Sequence, residues 1–315
     1  MKKNYFRLRK WTGLDRLSEL GLANCLPFVL CYHEVDQKQL KKQIEYLNQN
    51  IRAVHIGEIL SAAKGTYAVT VDDCIHKDVT DSASVFIENQ TSASYYLPYD
   101  YTDGKSTLWH IKLLQLCNHL TSMEVDSVIY VMQTKKQKRK AFDRLNQVFY
   151  NSGMQPQDLQ KKIKNLAIEH NYTMDLITPD EMVISRDQIR TLSSNPLLNF
   201  ESHTLSHPFL HRCTEQEIAR ELEGSKTKIE ALTQQSVRSL SYPYGSLDII
   251  GNKAPQIATK FYSNAVTLVG GVITNRTMPF LIPRIAIYPK DDLNVFKSKI
   301  FHYQNLARAN ALFGR

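Results

Sequence analysis

Apolar residues in the first third of the chain fall into short continuous runs separated by stretches with helical spacing. Residues 27–32 (Pro-Phe-Val-Leu-Cys-Tyr) and 68–73 (Ala-Val-Thr-Val-Asp-Asp) have strand length and end on polar groups, and 92–97 is a third such run. Between them, Leu40, Ile44 and Leu47 predict a helix over 38–47, 51–63 reads as a shorter helix, and another follows around 81–89. Strands alternating with helices predict a parallel sheet, either a barrel or an open sheet, whose functional face lies at the carboxyl ends of its strands.

From Trp109 to about Pro179 the alternation lapses. Ile111, Leu114 and Leu116, then Phe142, Leu145 and Phe149, then Leu159, Ile163 and Leu166 follow helical spacing and predict a helical insertion that forms a lid or rim. It contains the basic run Lys135-Lys136-Gln137-Lys138-Arg139-Lys140, which reads first as a solvated helix face and second as a phosphate or nucleic-acid contact. Alternation resumes at 197–200, and Thr214-Glu215-Gln216-Glu217 is a capping box that starts a helix burying Ile218, Leu222 and Ile229. Further strands are expected at 238–242, 263–268 and 280–287, which makes about seven from residue 27 onward.

With 43% hydrophobic and 22% charged residues in 315, the chain buries a sizeable core in one or two domains. A formal charge of +8 favours acidic partners, among them an anionic glycan, a phosphorylated sugar carrier, a membrane surface or nucleic acid, without choosing among them. The five cysteines form no CxxC pair and are odd in number, so neither a disulfide framework nor a cysteine metal site is indicated. Residues 1–26 form a basic amphipathic segment preceding the main domain, 27–315. In it Asp15, Arg16 and Glu19 interrupt the apolar core that an export signal needs, so the reading is cytoplasmic. Trp11, Leu14, Leu17 and Leu20 beside Lys2, Lys3, Arg7, Arg9 and Lys10 suit a helix packed on the domain itself or, as a second reading, one lying on an anionic membrane surface.

The chemistry-bearing residues stand at strand ends. Asp72 and Asp73 close one apolar run, and His203 and His207 follow another, spaced to share one face of a helical turn. Adjacent carboxylates on a strand point to opposite faces, so the two aspartates serve one site only where the backbone turns. Two imidazoles and a carboxylate suit a catalytic zinc or similar divalent ion with a position left open.

Thr70-Val71-Asp72-Asp73-Cys74, Ser202-His203-Thr204-Leu205-Ser206-His207-Pro208 and Ser241-Tyr242-Pro243-Tyr244-Gly245 resemble, in order, three motifs of the polysaccharide deacetylases, carbohydrate esterase family four, of the chitooligosaccharide deacetylase-like kind. Cys31-Tyr32-His33-Glu34-Val35 and Ile282-Pro283-Arg284-Ile285 fit as well, so the resemblance spans most of the chain. It implies a distorted seven-stranded (β/α) barrel, here with a helical insertion, and removal of N-acetyl groups from sugars. It further implies that Asp73, His203 and His207 hold a divalent metal, zinc first, and that Asp72 is the general base. Tyr244 would supply an oxyanion donor through its backbone N–H, Arg284 would orient Asp72, and His33, which closes the first strand, would line the same face. Tyr242 and Tyr244 offer rings to a sugar or to the core.

Cys74 replaces the family's glycine, Val71 its aromatic, and the third motif lacks an arginine, which leaves Arg284 as the substitute. The late Leu-x-His that carries the family's general acid is absent, and His302 is the late histidine in its place, within a helical, charged context. The expected partner is an N-acetylated glycan or glycan precursor, with nucleic acid not expected. A metal-dependent amidase on a non-sugar amide, and a catalytically silent glycan-binding member, are the alternatives.

Overall fold

The computed structural model describes residues 21–172 and 178–312. The basic amphipathic segment expected at 1–26 therefore lies outside the described residues up to residue 20.

The first half-barrel follows the apolar runs. β1 (Phe28–Tyr32) is buried at every position, and α1 (Gln37–Asn48), capped by the Asp36 side chain, turns Leu40, Ile44 and Leu47 inward. Next come β2 (Arg52–Ala53), β3 (Thr66–Val71), α2 (His76–Glu88) and β4 (Ala93–Leu97). The helix expected over 51–63 is instead the edge strand β2 and a single 3-10 turn, Ile56–Glu58. The edge of β3 captures this backbone, with Val54 N–H donating to the Tyr67 carbonyl at 2.8 Å. Val54, Ile56 and Ile59 then cap a small core of Val29, Ala68, Tyr96, Val266 and Ile282.

The insertion comprises α3 (Trp109–His119), the antiparallel hairpin β5 (Ser122–Val125) and β6 (Val128–Val131), α4 (Lys135–Asn151) and α5 (Pro156–Glu169). Its own core includes Leu113, Met123, Val125, Leu145, Phe149 and Ile163. The insertion is mostly helical, as the spacing predicts, and the hairpin is the part that the spacing did not show. Its two-residue turn, Asp126-Ser127, has φ of 52° and 63°, the positive values that close a tight hairpin, without the Asn-Gly signature that would have announced it.

The second half resumes with α6 (Arg186–Ser193), β7 (Leu198–Ser202), α7 (Glu215–Thr233), β8 (Ser239–Ser241), α8 (Leu247–Ile250), α9 (Lys253–Ala258), β9 (Asn264–Val266), β10 (Ile285–Ala286) and α10 (Leu293–Leu312). The expected Thr214/Glu217 capping box starts α7. The main sheet is parallel, ordered β10-β1-β3-β4-β7-β8-β9, with β2 beside β3.

Of the strand expected at 280–287 only β10 is regular, because Pro279 and Pro283 cannot donate to a ladder. The same segment nevertheless crosses the seam. Ile282 N–H donates to Ala265 of β9 at 3.0 Å, and Ile287 N–H donates to Cys31 of β1 at 2.9 Å. The curled sheet with its helical insertion is thus the distorted (β/α) barrel. α10 locks the seam through Gln304, whose amide both accepts from Leu26 N–H and donates to its carbonyl.

Candidate active site

β3 ends at Val71, and the backbone then leaves the sheet. Asp72 N–H still donates to the Tyr32 carbonyl at 2.9 Å, but Asp73 and Cys74 take φ of 65° and 50°. This turn sends the two carboxylates to different partners.

Asp72 meets Arg284, which reaches in from the seam with its side chain completely buried. The guanidinium grips the carboxylate with both ends, Nη1 to Oδ1 at 2.8 Å and Nη2 to Oδ2 at 2.7 Å. Ser241 Oγ donates to Oδ2 at 2.9 Å, and the remaining Arg284 donors hold Thr70 Oγ1, Ser241 Oγ and the Thr267 carbonyl. Burial works against ionisation of Asp72, but the Arg284 charge outweighs it and keeps the carboxyl well below the usual range. Three of about four lone-pair directions are taken, which leaves one for a further partner.

Asp73 faces the histidines. Its Oδ1 lies 3.5 Å from His203 Nε2 and 3.3 Å from His207 Nε2, and this buried oxygen has no hydrogen-bond partner among the described residues. Burial again opposes ionisation, and the two imidazoles prevail and hold Asp73 well below the carboxylate range. Ligands about 2.0–2.1 Å from a tetrahedral zinc lie about 3.4 Å from one another, so this spacing and the orphaned oxygen suit a shared divalent ion. His203 Nδ1 donates to the Ser241 carbonyl at 2.7 Å, which fixes the tautomer that turns Nε2 toward Asp73.

The histidines do not share a helical turn, contrary to the expectation from their spacing. They leave the end of β7 on an irregular loop in which Thr204 and His207 have φ of 68° and 54°. What holds this loop is Glu221, buried on α7. Its Oε2 accepts from Leu205 and Ser206 N–H at 2.9 and 2.8 Å, and its Oε1 from Ser206 Oγ at 2.8 Å. Sequence reasoning missed Glu221, although an acid between the inward-facing Ile218 and Leu222 was the available signal.

Tyr244 adopts φ 63°, and its ring lies 4.7 Å from His207 and stacks on Phe209 at 4.3 Å. Trp109 of α3 donates from Nε1 to Tyr244 Oη at 2.9 Å, so the insertion braces this loop, a contact that the sequence did not reveal. Gly245 follows at φ 61°, where a Cβ would meet Leu268 N at 2.6 Å. Tyr242 is buried, with its hydroxyl on the Phe280 carbonyl, and is a packing residue rather than a sugar platform.

Two further imidazoles border the carboxylates. His33 Nε2 is 3.7 Å from Asp72 Oδ2, and its side chain is 37% exposed. Cys31, His33 and Asp72 also lie close enough to suggest an ion site, but the Arg284 cation on Asp72 opposes a second cation there. His110, beside Trp109, is pushed down to about 4 by burial against the partial opposition of Asp73, so it is uncharged at neutral pH. His302 lies on α10 with its ring against Tyr303 and is not in this group. Cys74 is buried and donates to the Tyr96 carbonyl, and burial raises its thiol further from reactivity.

A family model described as polysaccharide deacetylase matches residues 60–261, more than half of the chain. Among curated proteins no sequence matches. Among solved structures the chain is similar to IcaB from Ammonifex degensii, at 15% identity over 89% of this chain and 99% of that one, with a TM-score of 0.57. It is also similar to the Streptococcus pyogenes deacetylase PplD in complex with acetate (12% identity, 89% and 97% covered, TM-score 0.56). A polysaccharide deacetylase from Bacillus cereus shares 17% identity over 87% of this chain and 69% of that one, with a TM-score of 0.56. At these identities the likeness to solved structures is one of fold.

Proposed function

Because the chain belongs to the polysaccharide deacetylase family, we propose that it hydrolyses the N-acetyl group of an amino sugar in a glycan or glycan precursor, using a divalent metal, zinc first. The observation that carries this reading is the orphaned Asp73 Oδ1 within 3.5 Å of two imidazole nitrogens, beside an Asp72 already clamped by Arg284. Asp73, His203 and His207 would hold the ion. Once bound, such an ion supplies Lewis acidity, which polarises an acyl oxygen and lowers the pKa of water toward about 7.

The chain's own residues supply the rest. Asp72, ionised and fixed in plane by Arg284 and Ser241, takes a proton from the attacking water, whose oxygen bonds to the acetyl carbon. The Tyr244 N–H, which donates to no acceptor among the described residues, supports the negative charge that develops on the acyl oxygen. His33, half-exposed at the mouth, gives a proton to the sugar nitrogen as the C–N bond breaks, leaving acetate and an amine. The 3.7 Å separation between His33 and Asp72 lets the proton taken from water return to the imidazole. Neither ground for a silent member holds in this reading. His33 fills the place of the missing late acid, and Cys74 is a packed thiol.

Acetate release from a panel of N-acetylated sugars, with and without added zinc, tests the proposal. Release should require metal and fall at least about 100-fold in Asp72→Asn, the usual scale of lost general-base catalysis. A zinc-loaded protein that frees no acetate from any of them would overturn it.

A further inference from the structure

The basic run of the insertion plays no part in the site described above, and the structure gives it an unusual neighbour. Lys135, Lys136, Arg139, Lys140 and Arg144 are all exposed along one face of α4. Asp143 shares that face and is paired with Arg139 at 3.1 Å. Lys136, Arg139, Lys140 and Arg144 lie together there with Asp143 and Gln147. Residues 109–172 hold ten of the chain's 39 Lys and Arg but five of its 31 acids, so about a fifth of the length carries most of the +8 excess.

The hairpin leads directly into this helix. Its inner face is anchored, with Met123 and Val125 buried at 1% and 3% exposure and Lys162 holding Asp126 at the turn at 3.0 Å. Its outer face is not covered. Ile129 is 67% and Val131 45% exposed on it. Glu124, across from Ile129, is the acid on that face. β-branched apolar residues held rigidly in water mark a contact surface when they are contiguous.

We propose that the hairpin's outer face and the cation row of α4 together dock the protein on an anionic lipid surface. Ile129 and Val131 would enter the interface between headgroups and acyl chains, and the lysines and arginines would meet lipid phosphates, the pairing of apolar and basic groups that peripheral binding requires. A soluble polyanion would use the cations but leave the apolar side chains in water. A second copy of the chain would set two rows of like charge against each other. Neither explains both features.

Flotation of the full chain with phosphatidylcholine vesicles, with and without phosphatidylglycerol, tests the proposal without depending on the deacetylase reading. Binding should require the anionic lipid. Lys136→Gln with Arg139→Gln and Lys140→Gln should weaken it about 100-fold, and Ile129→Ser with Val131→Ser about tenfold or more, all five side chains being exposed. The proposal fails if the vesicles are not bound, or if neutral vesicles bind equally well. It fails too if the serine pair leaves binding intact, which would reduce the patch to general electrostatics or move the contact to the basic residues before residue 21. A concentration-dependent dimer abolished by the serine pair, without vesicle binding, would replace the lipid with a second copy.

Discussion

Removing the carboxylate of Glu221 tests whether the histidine loop is held from behind. Glu221 is 6% exposed and satisfies two backbone N–H groups and one hydroxyl of the loop. In Glu221→Ala those donors are buried without acceptors, at about 1–3 kcal/mol each, although the Ser206 hydroxyl can rotate to another partner. A loss of about 2–5 kcal/mol follows if the loop stays where it is. If it relaxes instead, the left-handed Thr204 and His207 shift toward easier backbone angles and the imidazoles leave Asp73. The cost then appears as weaker zinc binding, about 10–100-fold, the usual scale for losing an outer support. Urea unfolding of the metal-free protein and competitive zinc titration separate the two routes. Glu221→Gln keeps an amide oxygen for the two N–H groups and should recover most of either loss. An alanine variant equal to wild type in both assays, or a glutamine variant as damaged as alanine, would refute this account.

Arg284→Met should destabilise the protein by about 3–5 kcal/mol in urea, because it strands the buried Asp72 charge, and adding Asp72→Asn should restore part of the loss. Equal stability of the single and double variants would argue against a compensating pair. Trp109→Phe keeps an aromatic ring but removes the bond to Tyr244, and should cost about 1 kcal/mol of stability and lower kcat for acetate release more than it changes KM. A change confined to KM would show that Trp109 does not position the Tyr244 loop for the chemical step. Asp78, buried and accepting from Val35 N–H, is raised to about 7, chiefly by burial. The folded state thus binds its proton more tightly than the unfolded chain, so the Asp78 contribution to stability should fall as pH rises from about 4 to 7 and level off above that, while Glu201, raised to about 8 by burial, extends the overall decline. Asp78→Asn cannot ionise and should remove its share of this decline, gaining up to about 4 kcal/mol over wild type at pH 8. Parallel stability curves for the two proteins would disprove it.

The early strands were legible because a parallel strand buried on both faces reads as a nearly continuous apolar run, and each of the seven expected segments contributes to the sheet. The elements that were misread are those whose conformation is decided elsewhere in the chain. The 51–63 segment has apolar residues at spacings a helix could use, and the edge of β3 takes its backbone instead. The spacing of His203 and His207 suits a helical turn, but their loop is shaped by a glutamate on α7, and no local pattern encodes that contact.

The proposed proton donor illustrates the deeper limit. The late histidine, His302, lies on α10, whereas the imidazole beside Asp72 is His33, which closes the first strand and was expected from that position to line the same face. Chain order and position around a barrel are different coordinates. In the closed sheet β1 lies between β10 and β3, so the carboxyl end of the first strand adjoins both the aspartate pair that follows β3 and the arginine that precedes β10. Asp72, Arg284 and His33 are separated by tens to hundreds of residues along the sequence, yet they occupy neighbouring positions on one rim. A catalytic group sought at one end of such a chain can therefore be supplied from the other end without moving in space.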